Sequence, residues 1–173
     1  MNKKLKIFII GILLILVTGC SGNYNLKIND DMSINEELYL TIDNSNNAYT
    51  KTLKIFKENN IPEDDYEVVL SDNNVRITYN KKYDSIEEYL LNSKVYHELI
   101  DEIQFNKSNN YIDLYVNQKL KVSNDNGIKM NGTNLVDLDV LQINIENPFD
   151  VNFSNAEIVN DNVYTWTIKK GDT

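Results

Sequence analysis

A single cysteine, Cys20, rules out an intramolecular disulfide in this chain of 173 residues. A single histidine, His97, rules out a metal site built from several imidazoles and would have to be the sole base of any Ser/His/Asp triad. No nucleophile elbow, His-Glu-x-x-His helix or phosphate-binding glycine loop accompanies it, so His97 reads as a partly exposed helix residue. Glycine (six) and proline (two) are scarce, and no solenoid-period repeat or low-complexity tract stands out beyond an excess of asparagine. Abundant Asn, Lys, Ile and Asp match proteins encoded by AT-rich bacterial genomes, which is a remark on composition and not on mechanism.

Net positive charge is missing as well. The formal charge is -9, and loss of Lys3, Lys4 and Lys6 with an N-terminal leader would leave about -12. Such a surface repels phosphate polymers, and no Lys/Arg cluster interleaved with aromatics overrides it, so nucleic acid is not expected as a partner. The same charge argues against the body lying on an anionic leaflet by electrostatics.

The first twenty residues are the most informative present. A basic start, Met1-Asn2-Lys3-Lys4-Leu5-Lys6, leads into an apolar run from Ile7 to Val17 and then Val17-Thr18-Gly19-Cys20. This is the layout of a bacterial lipoprotein signal: a positive region held on the cytoplasmic side, an apolar region for the translocon, and small residues before the cleaved bond. Residues 1–19 are thus expected to be signal peptide and Cys20 the lipidated N-terminus. Each buried methylene of its acyl chains adds roughly 0.8 kcal/mol of membrane affinity. An uncut transmembrane anchor is the alternative, but the run is shorter than the about 20 apolar residues needed to span.

Residues 20–23 read as the lipidated end with a short tether, and 24–170 as one domain long enough to bury a core. Two-residue alternation marks strands at Tyr24 to Ile28 and Glu36 to Ile42, the latter with Leu38, Leu40 and Ile42 on one face. The period then changes: Tyr49, Thr52, Leu53 and Phe56 predict an amphipathic helix over Asn46 to Glu58, with Asp43 or Ser45 as cap and Asn59 to Pro62 as stop. Tyr66 to Leu70 and Val75 to Tyr79 flank a turn as a second hairpin. Ser85-Ile86-Glu87-Glu88 has capping-box spacing and opens a second helix. Further strands are expected at Glu102 to Asn106, Tyr111 to Val116, Asp137 to Glu146, Val151 to Phe153 and Tyr164 to Ile168, with 123–136 a loop or another hairpin. The predicted class is α+β: an antiparallel sheet of hairpins with two inserted amphipathic helices.

Carboxylate pairs occur at Asp30-Asp31, Asp64-Asp65 and Asp137/Asp139. Glycosidase chemistry needs two carboxyls across one cleft, whereas adjacent aspartates in turns usually solvate loops. The neighbourhood of Asp125 and Gly127 fails calcium-loop spacing. No catalytic residue, metal or cofactor is therefore assigned. Eleven tyrosines are conspicuous. Tyr39, Tyr111 and Tyr115 fall out of phase with the aliphatic face of their strands, giving a second aromatic face suited either to acyl or glycan groups or simply to β-propensity. Trp166, between Thr165 and Thr167, is expected in the core.

Two segments carry a resemblance. Cys20-Ser21-Gly22 with the Tyr24 to Ile28 and Ile34 to Ile42 strands resembles the start of LppM-type bacterial lipoproteins. Ile143 to Val151, Ser154-Asn155-Ala156 and Tyr164 to Ile168 are similar to that family's closing pattern: a proline before a strand, a Ser-Asn-Ala/Gly turn, and a Thr-Trp strand. The resemblance implies an α+β domain outside the membrane that binds lipid or glycolipid. Members often carry a second hydrophobic segment after the Trp strand, and none follows Trp166 here. The expectation is a non-enzymatic domain, lipid-anchored to the membrane through Cys20, that binds an envelope lipid or glycolipid in a groove between sheet and helices; the alternative is a structural or protein-interaction module of the envelope without a small ligand. No ligand-binding residue is assigned.

Overall fold

The computed structural model describes residues 20–43, 48–71, 73–108, 111–118, 129–130, 133–134 and 138–169; the expected signal peptide 1–19, Ser45, Asp125, Gly127 and Asp137 lie outside them. The strands are β1 (Ser21–Ile28), β2 (Ile34–Asp43), β3 (Tyr66–Leu70), β4 (Asn74–Tyr83), β5 (Ile100–Ser108), β6 (Tyr111–Gln118), β7 (Lys129–Met130), β8 (Thr133–Asn134), β9 (Val140–Glu146), β10 (Asp150–Ser154), β11 (Ile158–Asn160) and β12 (Val163–Lys169). Helix α1 spans Ala48–Glu58, α2 Ile86–Asn92 and α3 Lys94–Leu99, with a 3-10 turn at Glu63–Asp65. The class is α+β. The main sheet has seven strands in the order β11-β12-β9-β1-β2-β4-β3; β10-β6-β5 and β7-β8 form two smaller sheets.

The sheet is mixed rather than antiparallel. β1 pairs antiparallel with β2 but parallel with β9, Ser21 facing Val140 and Lys27 facing Glu146, and β10 runs parallel to β6. More than a hundred residues separate β1 from β9, so no tight turn dictates their relative direction. Among the described residues the helices number three because the second predicted helix breaks at Ser93, whose backbone is extended (φ -68°, ψ 119°). Ser85 caps as its spacing predicts, its Oγ accepting from Glu88 N (3.1 Å), while Glu88 Oε2 reaches one residue past the cap to accept from Asp84 N (2.7 Å). Lys129–Met130 and Thr133–Asn134 pair as the hairpin alternative expected within 123–136.

One face of the main sheet carries the core. Leu26, Ile28, Ile34, Leu38, Leu40, Ile42, Ile77, Ile143 and Ile145 are at most 1% exposed, and Phe56 of α1, Tyr89 of α2 and Val95 of α3 close over the core. Each such side chain contributes roughly 1.5–3 kcal/mol by leaving water. Trp166 is buried as expected and its Nε1 donates to Asn155 Oδ1 (3.1 Å). Pro148, which cannot donate to a ladder, stands between β9 and β10.

Of the short tether expected at 20–23, Ser21, Gly22 and Asn23 are already strand. Ser21, Gly22 and Asn23 pair with Thr41, Leu40 and Tyr39 on one side and with Val140, Leu141 and Gln142 on the other. Gly22 permits this close packing, because a Cβ there would sit 2.9 Å from Leu141 Cδ1 and 3.2 Å from Leu40 Cδ2. Cys20 is drawn in as well: its carbonyl accepts from Asp139 N (2.8 Å) and its Sγ accepts from Asp43 N (3.2 Å).

Candidate functional site

Alternation along β2 sends Glu36 to the same face as Leu38, Leu40 and Ile42, where it is 1% exposed. Four hydroxyls converge on it. Tyr24 (2.6 Å) and Ser93 donate to Oε1, and Tyr83 (2.8 Å) and Tyr79 (3.3 Å) donate to Oε2. Tyr89 completes the cluster through the Tyr24 hydroxyl (2.7 Å). Because Tyr24 gives its proton to Glu36, Tyr89 is the donor in that contact. Burial pushes the Glu36 carboxyl above its ordinary range, against the pull of the four donors. It pushes the Tyr24 and Tyr89 hydroxyls well upward too, with the Glu36 charge adding to the effect.

This cluster ties the helices to the sheet. Ser93, at the break between α2 and α3, donates to Glu36 and accepts from Tyr96 N (2.9 Å) at the start of α3. The carboxylate is sealed among core side chains, so it cannot reach a substrate. The space between sheet and helices, where a ligand groove was expected, is occupied by Tyr24, Tyr79, Tyr83, Tyr89 and Phe56. Sequence reasoning missed Glu36, though alternation with Leu38 already set it on the apolar face.

A cavity of about 760 Å³ lies at the other side of the sheet, lined by Asn25, Lys27, Asn35, Glu37, Asn80 and Asn144 together with the apolar Leu26 and Val163. The strand register builds it. Thr165, Asn144, Asn25 and Glu37 stand side by side on β12, β9, β1 and β2, with Asn80 of β4 next. Thr165 Oγ1 donates to Asn144 Oδ1 (2.8 Å), Asn144 Nδ2 to Asn25 Oδ1 (3.0 Å), and Asn25 Nδ2 to Glu37 Oε2 (2.8 Å). All three of these bonds run toward the Glu37 carboxylate. In the neighbouring row Lys27 Nζ meets Glu146 Oε1 at 2.7 Å, with Asn35 and Lys82 beyond. Tyr39, on this outer face as its phase predicted, carries the Arg76 guanidinium 5.4 Å from its ring centroid. The side chains of Tyr111 and Tyr115 lie outside the described ones.

The other candidates do not converge. His97 is exposed on α3, its Nε2 3.4 Å from Leu91 O. Asp31 accepts from Ser33 Oγ (2.6 Å) and N (3.0 Å), bonds that hold its carboxyl below the usual range. Asp65 pairs with Lys81 Nζ at 2.6 Å, while Asp64 and Asp139 are exposed. Among the described residues no group of three or more His, Cys, Asp or Glu is placed to hold a metal ion. No helix among them is long and apolar enough to cross a membrane. No family model matches the chain, and neither curated proteins nor solved structures yield a relative.

Proposed function

We propose that this chain is a lipoprotein, held at the extracytoplasmic face of the cell membrane by acyl chains on Cys20, whose domain binds an envelope lipid or glycolipid by its polar part. The observation that carries the reading is the absence of slack at Cys20: its carbonyl and sulfur both accept from the sheet, and β1 begins at the next residue. A lipid on this sulfur stands the sheet directly on the bilayer. The LppM-like segments and the leader pattern support the same reading from sequence. The polar groove on the outer face is the surface offered to a headgroup or sugar.

The filled interior favours one other reading, an envelope interaction module with no small ligand. Expression of the full chain with Cys20→Ala separates anchoring from fold. The variant is expected to lose acyl labelling and to leave the membrane fraction in carbonate washes. Unchanged retention, with the leader removed, overturns the anchor. Lipid extraction and mass spectrometry of the purified protein then test for a stoichiometric lipid or glycolipid, and an empty extract selects the interaction module.

A further inference from the structure

We propose that the groove on the outer face of the main sheet is a site for an uncharged saccharide chain that reaches the domain from the side away from the membrane. The inference deepens the reading above and rests on it for orientation alone. Chemistry on the outer face determines the ligand class. Among the described residues, Asn25 and Asn144 each spend one N–H and one lone pair within the row, leaving a second N–H and a second lone pair apiece. Half-buried in the sheet, these amides are fixed in orientation before any ligand arrives. Such an array of paired donors and acceptors suits vicinal hydroxyls, which both give and accept. Successive groups in the row are separated by the strand spacing of roughly 4.8 Å, close to the length of one pyranose unit in an extended β-linked chain.

Charge argues against the neighbouring classes. Lys27 is paired with Glu146 and Lys81 with Asp65, which leaves Lys82 with Glu37 and Glu146 in a lining where phosphate meets carboxylates as well. The body's net negative charge acts in the same direction. The row itself holds Thr, Asn and Glu, whose hydrogen-bonding groups match hydroxyls, while Leu26 and Val163 in the lining leave room for the apolar face of a sugar ring. The Tyr39 ring is covered by Arg76, which leaves recognition to the amides.

Topology determines the direction of approach. β1 leaves Cys20 and runs to Ile28; the amide row at Asn25 lies four residues beyond Ser21, roughly 13 Å along the strand, and Lys27 lies six beyond it, roughly 20 Å. The row of Lys27, Glu146, Asn35 and Lys82 is therefore at the end of the sheet opposite the lipid. A bare phospholipid headgroup in the anchoring leaflet does not extend that far; a chain of several sugars does, whether carried on a lipid or on a wall polymer.

The test uses the full chain in detergent micelles, so that its outcome does not depend on membrane attachment. An N-acetylglucosamine tetramer is titrated while the side-chain amide signals of Asn25 and Asn144 are followed by nuclear magnetic resonance. Saturable shifts are expected, and Asn144→Ala should weaken binding at least fivefold. Asn80→Ala, at an exposed position, serves if the first variant fails to fold. The same tetramer coupled to a diacyl lipid in phosphatidylglycerol vesicles distinguishes the sources: equal affinity for the free sugar assigns a wall chain, and tenfold tighter binding of the lipid-borne form assigns a glycolipid. Unmoved amide signals at millimolar tetramer, binding unaffected by both variants, or binding of inorganic phosphate instead overturns the proposal. Failure here with loss of anchoring in Cys20→Ala leaves the lipoprotein standing without the saccharide site; binding here with retained Cys20→Ala does the reverse.

Discussion

Taking a carboxylate out of water costs several kcal/mol, and the chain meets that cost at Glu36 with four hydroxyl donors. The compensation is incomplete, since burial still holds the carboxyl above its ordinary pKa. A group whose pKa is higher in the folded state binds its proton more tightly there. Glu36 therefore contributes most stability below the unfolded carboxyl value and loses it as pH rises through its own raised pKa. Urea unfolding across pH is expected to show this decline, and Glu36→Gln, which cannot titrate, is expected to lack it. The variant should also cost about 1–3 kcal/mol at low pH, because an amide N–H replaces an acceptor among O–H donors. Identical pH profiles for the two proteins would remove Glu36 as their source. This residue was legible only in part: β2 alternation sets it on the apolar face, but Tyr24, Tyr79 with Tyr83, and Ser93 come from β1, β4 and the break between α2 and α3, which no local pattern joins.

At the scale of elements, what neighbours in sequence decide was readable and what distant partners decide was not. The capping box at Ser85, the helical period through Phe56 and the turn between β3 and β4 are all short-range, and each appears where its residues require it. The parallel pairing of β1 with β9 and the entry of Ser21 into the sheet depend on a strand far along the chain. The break between α2 and α3 belongs to the second kind: nothing in Asn92-Ser93-Lys94 forces it, but Ser93 breaks the helix while reaching Glu36 and capping α3. Ser93→Ala removes a cap, about 1 kcal/mol, and a hydrogen bond to a charged group, about 1.5–3 kcal/mol. The loss should be local first. Hydrogen exchange is expected to accelerate in 86–97 well before β1 and β9, and a uniform acceleration across the sheet would contradict the role of Ser93 as the tie.

For the molecule as a whole, the lipid attachment proposed at Cys20 would make one covalent point determine how an acidic body faces its surroundings. The end of the sheet next to Cys20 carries Asp43 and Asp139, both exposed, so an anionic leaflet repels the surface nearest to it. With β1 hydrogen-bonded on both sides, repulsion cannot be relieved by paying out chain, and the sheet is expected to stand with its strands away from the bilayer. The single cysteine makes this measurable, because acylation of Cys20 leaves an introduced cysteine as the one reactive thiol. Asn74 and Lys82 lie at opposite ends of β4, roughly 25 Å apart at the rise of an extended strand. Fluorophores placed by Asn74→Cys and by Lys82→Cys in vesicle-bound protein should differ in quenching by bromine-bearing lipids, strongly for position 74 and weakly for position 82. Higher salt should narrow the difference by screening the aspartates and letting the body tilt. Equal quenching at low salt would mean that the sheet lies along the membrane, bringing the amide row within reach of ordinary headgroups and removing the argument for a long saccharide chain.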